Sequence, residues 1–419
     1  IDLRRLVSMF GRKKRKKLPL ITKIGLGFIF GLLFGLIAGY FSDYSIFSNW
    51  VIPILRLVGN IFIALLKMLI VPLVLTSIIM GASSIGDPSK LGRIGGKTIA
   101  IYLLTSVVAV AIGLIFGNFI RPGIGISLEG AAVTKVASES IFDVIYNIFP
   151  SNPIKAIVDQ QMLQIIVFAL FIGIAAALTG GKASHFLDFN TSLAEIMFKI
   201  TDIVMMFAPY GIFALISTTA AEYGTSVLGP FLKVIFAIYA ASFVQLAVVY
   251  SSLIAGYVRK NPLWFFKGVQ EAMLSAFVTR SSAAVLPVSM DNVCRNLGVK
   301  EEIASFVLPL GSTINMNGTA IYEGVCALFI AQAYGIDLTL ISQIQIILTA
   351  TLAAVGTAGV PGSGLIMLSM VLTSAGLPVD GIALVAGIDA VLDMARTLLH
   401  VTGDMCAAVL VAKSDGEKF

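Results

Sequence analysis

Six side chains that could bind ions or polar ligands lie within residues 388–404, IDAVLDMARTLLHVTGD. Five of them follow one another at steps that keep to one face of a helix, where residues three or four apart are neighbours: Asp393, Arg396, Thr397, His400 and Asp404. The flanking sequences are apolar enough to make this segment a membrane span. Ionisable groups inside a span are energetically unfavourable, so such a cluster predicts a binding or transport site. The alternative is a structural stripe in which Asp393 and Asp404 neutralise Arg396.

The composition is typical of a polytopic membrane protein. Of the 419 residues, 58% are hydrophobic and 12% are charged, whereas soluble proteins carry about twice that charge. The net charge of +6 does not indicate nucleic-acid binding, because the basic residues lie in the N-terminal tail and in short loops. The basic run at 12–17, RKKRKK, adjoins the first span and predicts a cytoplasmic N-terminus beside an anionic leaflet. The three cysteines have no metal or disulfide spacing, and we expect no bound cofactor.

Six apolar segments before residue 260 are each long enough to cross about 30 Å of hydrocarbon. They are residues 21–41, 51–81, 98–120, 157–180, 193–220 and 231–258. Loops after the second, fourth and sixth segments contain lysine or arginine, whereas those after the first and fifth contain neither. Positive residues favour the cytoplasmic side, so six crossings would return the chain to the cytoplasm. The connection at 121–156 has three basic residues and fits this pattern less well.

After residue 260 the apolar segments are interrupted. Residues 263–294 form two short arms broken at TRSSAAVLP (279–287), and residues 338–374 form two arms broken at GTAGVPGSG (356–364). Two interrupted segments in corresponding positions indicate a transporter's binding site. Non-helical backbone at membrane depth must be buried in protein or line a cavity. The alternative is that each hairpin is an ordinary loop between spans.

A broken span lies between the two hairpins. Residues 302–333 are apolar but interrupted at NMNGT (315–319), and the polar span at 378–412 follows the second hairpin. The predicted fold class is therefore all-α, with eight transmembrane helices and two re-entrant helical hairpins. The C-terminus would be cytoplasmic, like the N-terminus.

Six stretches resemble the glutamate/aspartate transporter family (dicarboxylate/amino acid:cation symporters), in particular its prokaryotic members, and the resemblance covers essentially the whole chain. They are LLKMLIVPLV (65–74), YLLTS (102–106), FVTRSS (277–282), LPLGSTINMNGTAIYEG (308–324), GTAGVPGSG (356–364) and LDMARTLLHVTGD (392–404). The resemblance implies a homotrimeric, multi-pass protein of the cell's inner (cytoplasmic) membrane, with inverted repeats and an elevator-type movement. It also implies a division into a basic tail (1–20), a scaffold (21–81 and 122–225) and a transport domain (82–121 and 226–419).

The resemblance also assigns a substrate site. Arg396 would hold the substrate side-chain carboxylate, because a guanidinium offers a planar bidentate match and keeps its charge. Asp393 would accept the substrate ammonium, and a plain C4-dicarboxylate would leave it as an unpaired buried charge. The other contacts that the resemblance implies are Thr397, Thr319, His400 and the hairpin residues Ser282, Val360 and Gly364.

Sodium sites are implied in the same way, since oxygen atoms bind hard cations and interrupted helices expose carbonyl groups. The first site would combine Asp404 with the backbone of Gly311, Asn315 and His400. The second would use the backbone of Thr313 and the second hairpin, near Met316. The third would use Thr105, Ser106, Asn315 and Asn317.

Three residues depart from the family pattern. Asn317 stands where the family usually has Asp in an NMDGT motif, so the third sodium site lacks a charge. Glu323 stands where some members have Gln; a carboxyl group buried in a span can carry a proton, or it can simply be a structural hydrogen-bonding group. His400 replaces the family's Asn and could link proton binding to substrate binding, or remain neutral. These departures predict mixed sodium/proton or proton coupling.

The sequence therefore predicts a secondary symporter that moves L-glutamate or L-aspartate with Na⁺ and/or H⁺, and the nearest alternative is a C4-dicarboxylate:cation symporter. An enzyme is not expected: an intramembrane hydrolase needs acid and base on either side of a bond, whereas Asp389 and Asp393 lie one turn apart on one helix. A channel is disfavoured because Arg396 opposite Asp393 suits a zwitterionic anion better than a pore ion. The expected partners are the small-molecule substrate and the lipid bilayer, without nucleic acid.

Overall fold

The computed structural model describes residues 20–41, 44, 46–83, 94–126, 146, 149–354, 363–417 and 419. Across these residues the chain is helical and has no β-strand, which confirms the all-α prediction. Within the described ranges, six segments are long and apolar enough to span a membrane, and the one at 164–222 contains two successive helices. The protein is therefore a multi-pass membrane protein.

The first part of the chain forms the long apolar helices. They are α1 (Leu20–Tyr40), α2 (Ile52–Ser83), α3 (Gly96–Ile120), α4 (Pro153–Val158), α5 (Met162–Thr179), α6 (Ser184–Tyr223) and α7 (Leu228–Val244). A π-helical turn at Phe47–Val51 precedes α2, and further helical turns continue α7 to Val258. Two bounds differ from the sequence prediction. The chain turns at Gln160, whose φ is 54°, so α5 begins after residue 157, and α6 begins well before residue 193.

The second part contains shorter and interrupted helices. They are α8 (Pro262–Thr279), α9 (Ser282–Asp291), α10 (Glu301–Ile314), α11 (Asn317–Ala333), α12 (Leu340–Ala353), α13 (Ser363–Ser374), α14 (Ile382–Ala386) and α15 (Asp389–Ser414). The predicted pattern of two-armed segments around a broken helix is thus present. The second hairpin tip at 355–362, including Val360, lies outside the described residues.

The helix breaks are narrower than the sequence suggested. Between α8 and α9 only Arg280 and Ser281 leave the helix, because Arg280 adopts a left-handed conformation with φ of 55°. The Ser281 side chain then accepts a hydrogen bond from the Ala284 N–H (3.3 Å) and so caps α9. In the broken span only Asn315 and Met316 separate α10 from α11.

The packing places the polar helix in the protein interior. α1 and α2 lie along α6, and α5 packs on α2, whereas α15 contacts α7, α8, α10 and α11. α11 in turn packs on α3, α7 and α13, and α13 also contacts α2 and α5. α11 and α15 are buried along most of their length. The polar groups of α15 are therefore shielded from lipid by other helices.

A row of glycines fixes the contact between α1 and α6. Gly27, Gly31, Gly35 and Gly39 recur every four residues, and a Cβ at any of them would collide with the α6 backbone. At Gly31 that Cβ would lie 2.7 Å from the Phe213 carbonyl oxygen. The Ser217 hydroxyl donates to the Gly31 carbonyl (3.1 Å) across the same contact. This close approach of two backbones is typical of small residues at four-residue spacing in membrane helices.

Candidate functional site

The polar stripe of α15 lies in the protein interior. Each of its five members exposes 7% or less of its surface: Asp393, Arg396, Thr397, His400 and Asp404. Buried charges require partners. The partners show which parts of the stripe act together.

Arg396 is bound by two carboxylates of its own helix. Its Nε and Nη2 donate to Oδ1 of Asp393 at 3.2 and 2.8 Å. Its Nη1 lies 2.9 Å from Oδ1 of Asp389, but the two atoms are not aligned as a hydrogen bond. The Tyr322 ring covers the guanidinium, with its centroid 4.2 Å from the central carbon. The structural alternative expected Asp393 and Asp404 to neutralise Arg396. In the structure Asp393 and Asp389 do so.

A second arginine completes the charge cluster from the first hairpin. Nη1 of Arg280, in the break between α8 and α9, lies 3.7 Å from Oδ2 of Asp393. The cluster thus contains two guanidinium and two carboxylate groups, and its formal charges balance. Arg280 therefore pairs with Asp393 and not with Asp389 or Glu323.

Both hairpins reach this cluster. A Cβ at Gly364, at the start of α13, would collide with Nη1 of Arg396, so a side chain at this position would displace the guanidinium. In the first hairpin, Ser282 is buried and its hydroxyl donates to the Ser312 carbonyl (3.2 Å). The structure therefore brings Ser282 and Gly364 to the interior around α15.

His400 connects α15 to the start of α11. Its Nδ1 accepts a hydrogen bond from the Gly318 N–H (3.1 Å), and its Nε2 lies 3.2 Å from the Thr319 hydroxyl. A nitrogen that accepts a backbone N–H carries no proton itself, so this geometry corresponds to a neutral ring protonated at Nε2. The arrangement holds Thr319 beside the polar stripe.

Asp404 lies near the break between α10 and α11. Asn315 Nδ2 donates to Asp404 Oδ1 (2.8 Å), while Asn315 Oδ1 has no hydrogen-bond partner among the described residues. Gly311 lies so close to Asp404 and to the Tyr102 hydroxyl that a side chain at this position would clash with both. A carboxylate, an unpartnered amide oxygen and backbone carbonyls freed by the break are oxygen donors suited to a hard cation.

Asn317 is at the centre of a second polar cluster that joins three helices. Its Oδ1 accepts from the Ser106 hydroxyl (2.8 Å), and its Nδ2 donates to Thr105 Oγ1 (3.2 Å) and the Tyr250 hydroxyl (2.8 Å). From α7, Gln245 Nε2 donates to the Thr105 carbonyl (3.3 Å). The amide of Asn317 thus has all of its hydrogen-bonding groups engaged by the protein.

The remaining candidates are spread along α10 and α11. Thr313 is half-buried and its hydroxyl donates to the Leu310 carbonyl (3.0 Å), and Met316 is buried in the helix break. Glu323 is 1% exposed, and neither of its carboxyl oxygens has a hydrogen-bond partner in the described part of the chain. A buried carboxylate charge without such bonds is strongly disfavoured, so we expect Glu323 to carry a proton in this arrangement.

The sequence profile of the sodium:dicarboxylate symporter family matches residues 20–414. The chain belongs to this family. The proton/sodium-glutamate symport protein of Geobacillus stearothermophilus is 34% identical over 412 residues, which cover 96% of each chain. The proton/glutamate-aspartate symporter of Escherichia coli K12 is 33% identical, over 96% of this chain and 94% of the relative. The C4-dicarboxylate transport protein of Rhodospirillum rubrum is 34% identical, over 87% and 83% of the two chains.

Sequence reasoning missed two groups around this family's polar helix. Asp389 lies seven residues, about two turns, before Arg396 and pairs with it. Because side chains tilt toward the N-terminus of a helix, arginine reaches Asp389 and Asp393 more readily than the downstream Asp404. No spacing in the sequence indicates Tyr250, because its hydrogen-bond partner Asn317 lies 67 residues away.

Proposed function

We propose that this family member is a secondary symporter that carries an acidic amino acid, L-aspartate or L-glutamate, across the cytoplasmic membrane together with Na⁺ and/or H⁺. Relatives named for glutamate or for glutamate and aspartate align with it over nearly their whole length. The charge cluster around α15 supports the same substrate class.

One observation carries the proposal. Nη1 of Arg396 and Oδ2 of Asp393 are both buried, and neither has a hydrogen-bond partner among the described residues. Each faces an opposite charge without forming a hydrogen bond to it, Asp389 at 2.9 Å and Arg280 at 3.7 Å. The first is a cationic donor and the second an anionic acceptor, on the same face of one helix. A substrate with a carboxylate and an ammonium group supplies the complement of both. We propose that Arg396 binds the substrate side-chain carboxylate and that Asp393 binds its ammonium.

A C4-dicarboxylate is the second candidate, because relatives of similar identity from Rhodospirillum rubrum and Rhizobium johnstonii are named C4-dicarboxylate transport proteins. Such a substrate has no ammonium for Asp393. It would bring two further negative charges to a cluster whose formal charges already balance. The geometry of Asp393 therefore favours the amino acid.

The coupled ions would be bound by the polar groups of α10, α11 and α15 that lie outside the charge cluster. We propose that Asp404, with Asn315 and backbone carbonyls near Gly311, binds one sodium ion. Asn317 is neutral and fully hydrogen-bonded to the protein, so its cluster would bind no sodium ion. The proton on Glu323 would be cotransported in place of that ion. His400 has the role of a neutral group that positions Thr319 for the substrate.

The moving parts are also a proposal. Residues 21–81 and 122–225 would form a scaffold, and residues 82–121 and 226–419 would form a transport domain that moves as an elevator within each subunit of a homotrimer. Both termini would be cytoplasmic. The packing of α1 and α2 with α6 and of α5 with α2, and the packing of α3, α7, α10 and α11 with α15, support this division.

Uptake into proteoliposomes tests the proposal. Labelled L-aspartate and L-glutamate are offered under an inward sodium gradient alone, an inward proton gradient alone, and neither. We expect gradient-dependent uptake by the native chain and none by Arg396→Gln. Arg295→Gln is the matched control, because the Arg295 side chain is 80% exposed and pairs with Asp291 of the same hairpin arm. Uptake that survives Arg396→Gln, or absence of acidic amino-acid uptake under both gradients, would refute it.

A further inference from the structure

A groove opens at one end of the molecule, away from the charge cluster. Its volume is about 400 Å³, and it lies between the first turns of α3, the final turns of α7 and the last turn of α15. The groove is lined by Lys97, Ala100, Ile101, Leu253, Tyr257, Leu410 and Ser414. All three helices end or begin here, so the groove lies where the chain passes from the apolar region into loops.

The walls and the mouth of the groove differ in chemistry. The walls are aliphatic, apart from the half-exposed Tyr257 ring, whereas Lys97 provides a cation. Lys97 Nζ donates to the Ser414 carbonyl (3.0 Å), which is one of the unpaired carbonyls at the end of α15. An ammonium has three donors, and no described carboxylate lies within ion-pair distance of Lys97. The mouth therefore keeps a positive charge and free donors.

The residues around the groove are of the kinds found at the depth of the lipid head groups. Lys97 is the second residue of α3, and Ser414 is the last residue of α15. Arg259, Lys260 and Lys413 lie at the same end of the helices. Lysine at helix ends extends its charge to the membrane interface, where tyrosine rings are also enriched.

We propose that this groove binds an anionic phospholipid, with one acyl chain along the aliphatic wall and the phosphodiester bonded to the Lys97 ammonium. A soluble anion would leave the aliphatic wall uncovered, and a neutral alkyl chain would leave the ammonium unpaired. The Lys97 ammonium, which has no ion-pair partner among the described carboxylates, favours an anionic head group over a zwitterionic one. The proposal does not depend on which substrate the protein carries.

The groove also adjoins the Asn317 cluster. Thr105 and Ser106 follow Ile101 by about one turn of α3, and Tyr250 precedes Leu253 by about one turn of the continued α7. A bound lipid would therefore brace α3, α7 and α15 close to the cluster that joins α3, α7 and α11.

The test uses the delipidated full-length protein in detergent, titrated with acyl-chain-labelled phosphatidylglycerol or phosphatidylcholine. Lys97→Gln removes the charge but keeps an N–H for the Ser414 carbonyl, and Ala100→Trp fills the groove. Lys267→Gln removes one charge from an exposed position on α8 and is the matched control. We expect Lys97→Gln to weaken phosphatidylglycerol binding roughly fivefold, the factor for one lysine contact with an anionic lipid. Ala100→Trp should abolish the saturable binding, and Lys267→Gln should leave it unchanged.

Three results would overturn the proposal. They are equal affinity of the native chain for the two lipids, equal losses in Lys97→Gln and Lys267→Gln, and undiminished binding by Ala100→Trp. The thermal unfolding midpoint of each variant, measured without added lipid, separates a loss of the site from a loss of the fold.

Discussion

Replacing Asp393 by asparagine should shift substrate preference from amino acids toward dicarboxylates. Asp393 accepts two hydrogen bonds from Arg396 through Oδ1, and its Oδ2 faces Arg280 at 3.7 Å. In the native cluster the two arginines balance Asp389 and Asp393. Asp393→Asn preserves the shape of the side chain but leaves the cluster with one excess positive charge.

The affinities for amino acids and for dicarboxylates should respond differently. An amino acid loses the carboxylate that pairs with its ammonium, and removal of one partner of a buried, hydrogen-bonded charge pair costs about 2–5 kcal/mol. A loss of about 3 kcal/mol weakens binding by a factor of roughly 150. Succinate has no ammonium, and its second carboxylate no longer meets a negative charge. Its affinity should therefore stay the same or increase.

Calorimetric titration of the purified native and variant proteins with L-aspartate and with succinate measures this difference directly. Asp291→Asn is the matched control, since the Asp291 side chain is 46% exposed and pairs with Arg295 on the protein surface. It should leave both affinities unchanged. Size-exclusion profiles of each variant verify that the fold is intact.

Three outcomes would refute the reasoning. If Asp393→Asn weakened L-aspartate and succinate equally, Asp393 would act only by holding Arg396 in place. If it weakened neither, the charge cluster would not be the substrate site. A loss confined to succinate would show that the dicarboxylate is the better substrate and that Asp393 binds one of its protonated carboxyl groups.

Three further perturbations test the coupling groups and the helix packing. Glu323→Gln removes the carboxyl group that we propose carries the coupled proton, so uptake driven by a proton gradient should be lost while equilibrium binding of L-aspartate persists. Equal proton-driven uptake by both proteins would contradict this role. Asn317→Asp adds a charge beside Ser106 and Thr105, so sodium titration of substrate binding should become steeper, and an unchanged sodium dependence would argue against a cation at this cluster. Gly31→Ala forces a Cβ to within 2.7 Å of the Phe213 carbonyl and should lower stability by about 1–3 kcal/mol. Gly25→Ala, with no atom within 4 Å of its Cβ, should not be destabilising when thermal unfolding of the two variants is compared.

Periodic and local signals in the sequence were sufficient for much of the architecture. The apolar length of the spans and the four-residue recurrence of polar groups in α15 identified the membrane helices and the buried stripe. Pro, Gly and Ser clusters identified the interruptions, but not their width. The first hairpin breaks over two residues because Ser281 caps the next helix at once. Such a cap depends on one local hydrogen bond that a compositional pattern does not specify.

Pairing across the site required the tertiary structure. The sequence by itself determined that Arg396 lies inside a span and must be neutralised, because a lone charge there is not stable. It named Asp393 and Asp404 as the neutralising pair, whereas the structure pairs Arg396 with Asp393 and Asp389. All three carboxylates lie within about two turns of Arg396 on the same helix, so spacing alone does not separate them. The contacts of Asn317 with Ser106 and Tyr250 join residues 211 and 67 positions apart. Only the packing of α3, α7 and α11 decides which polar groups face one another, because hydrogen bonds form over about 3 Å whatever the separation along the chain.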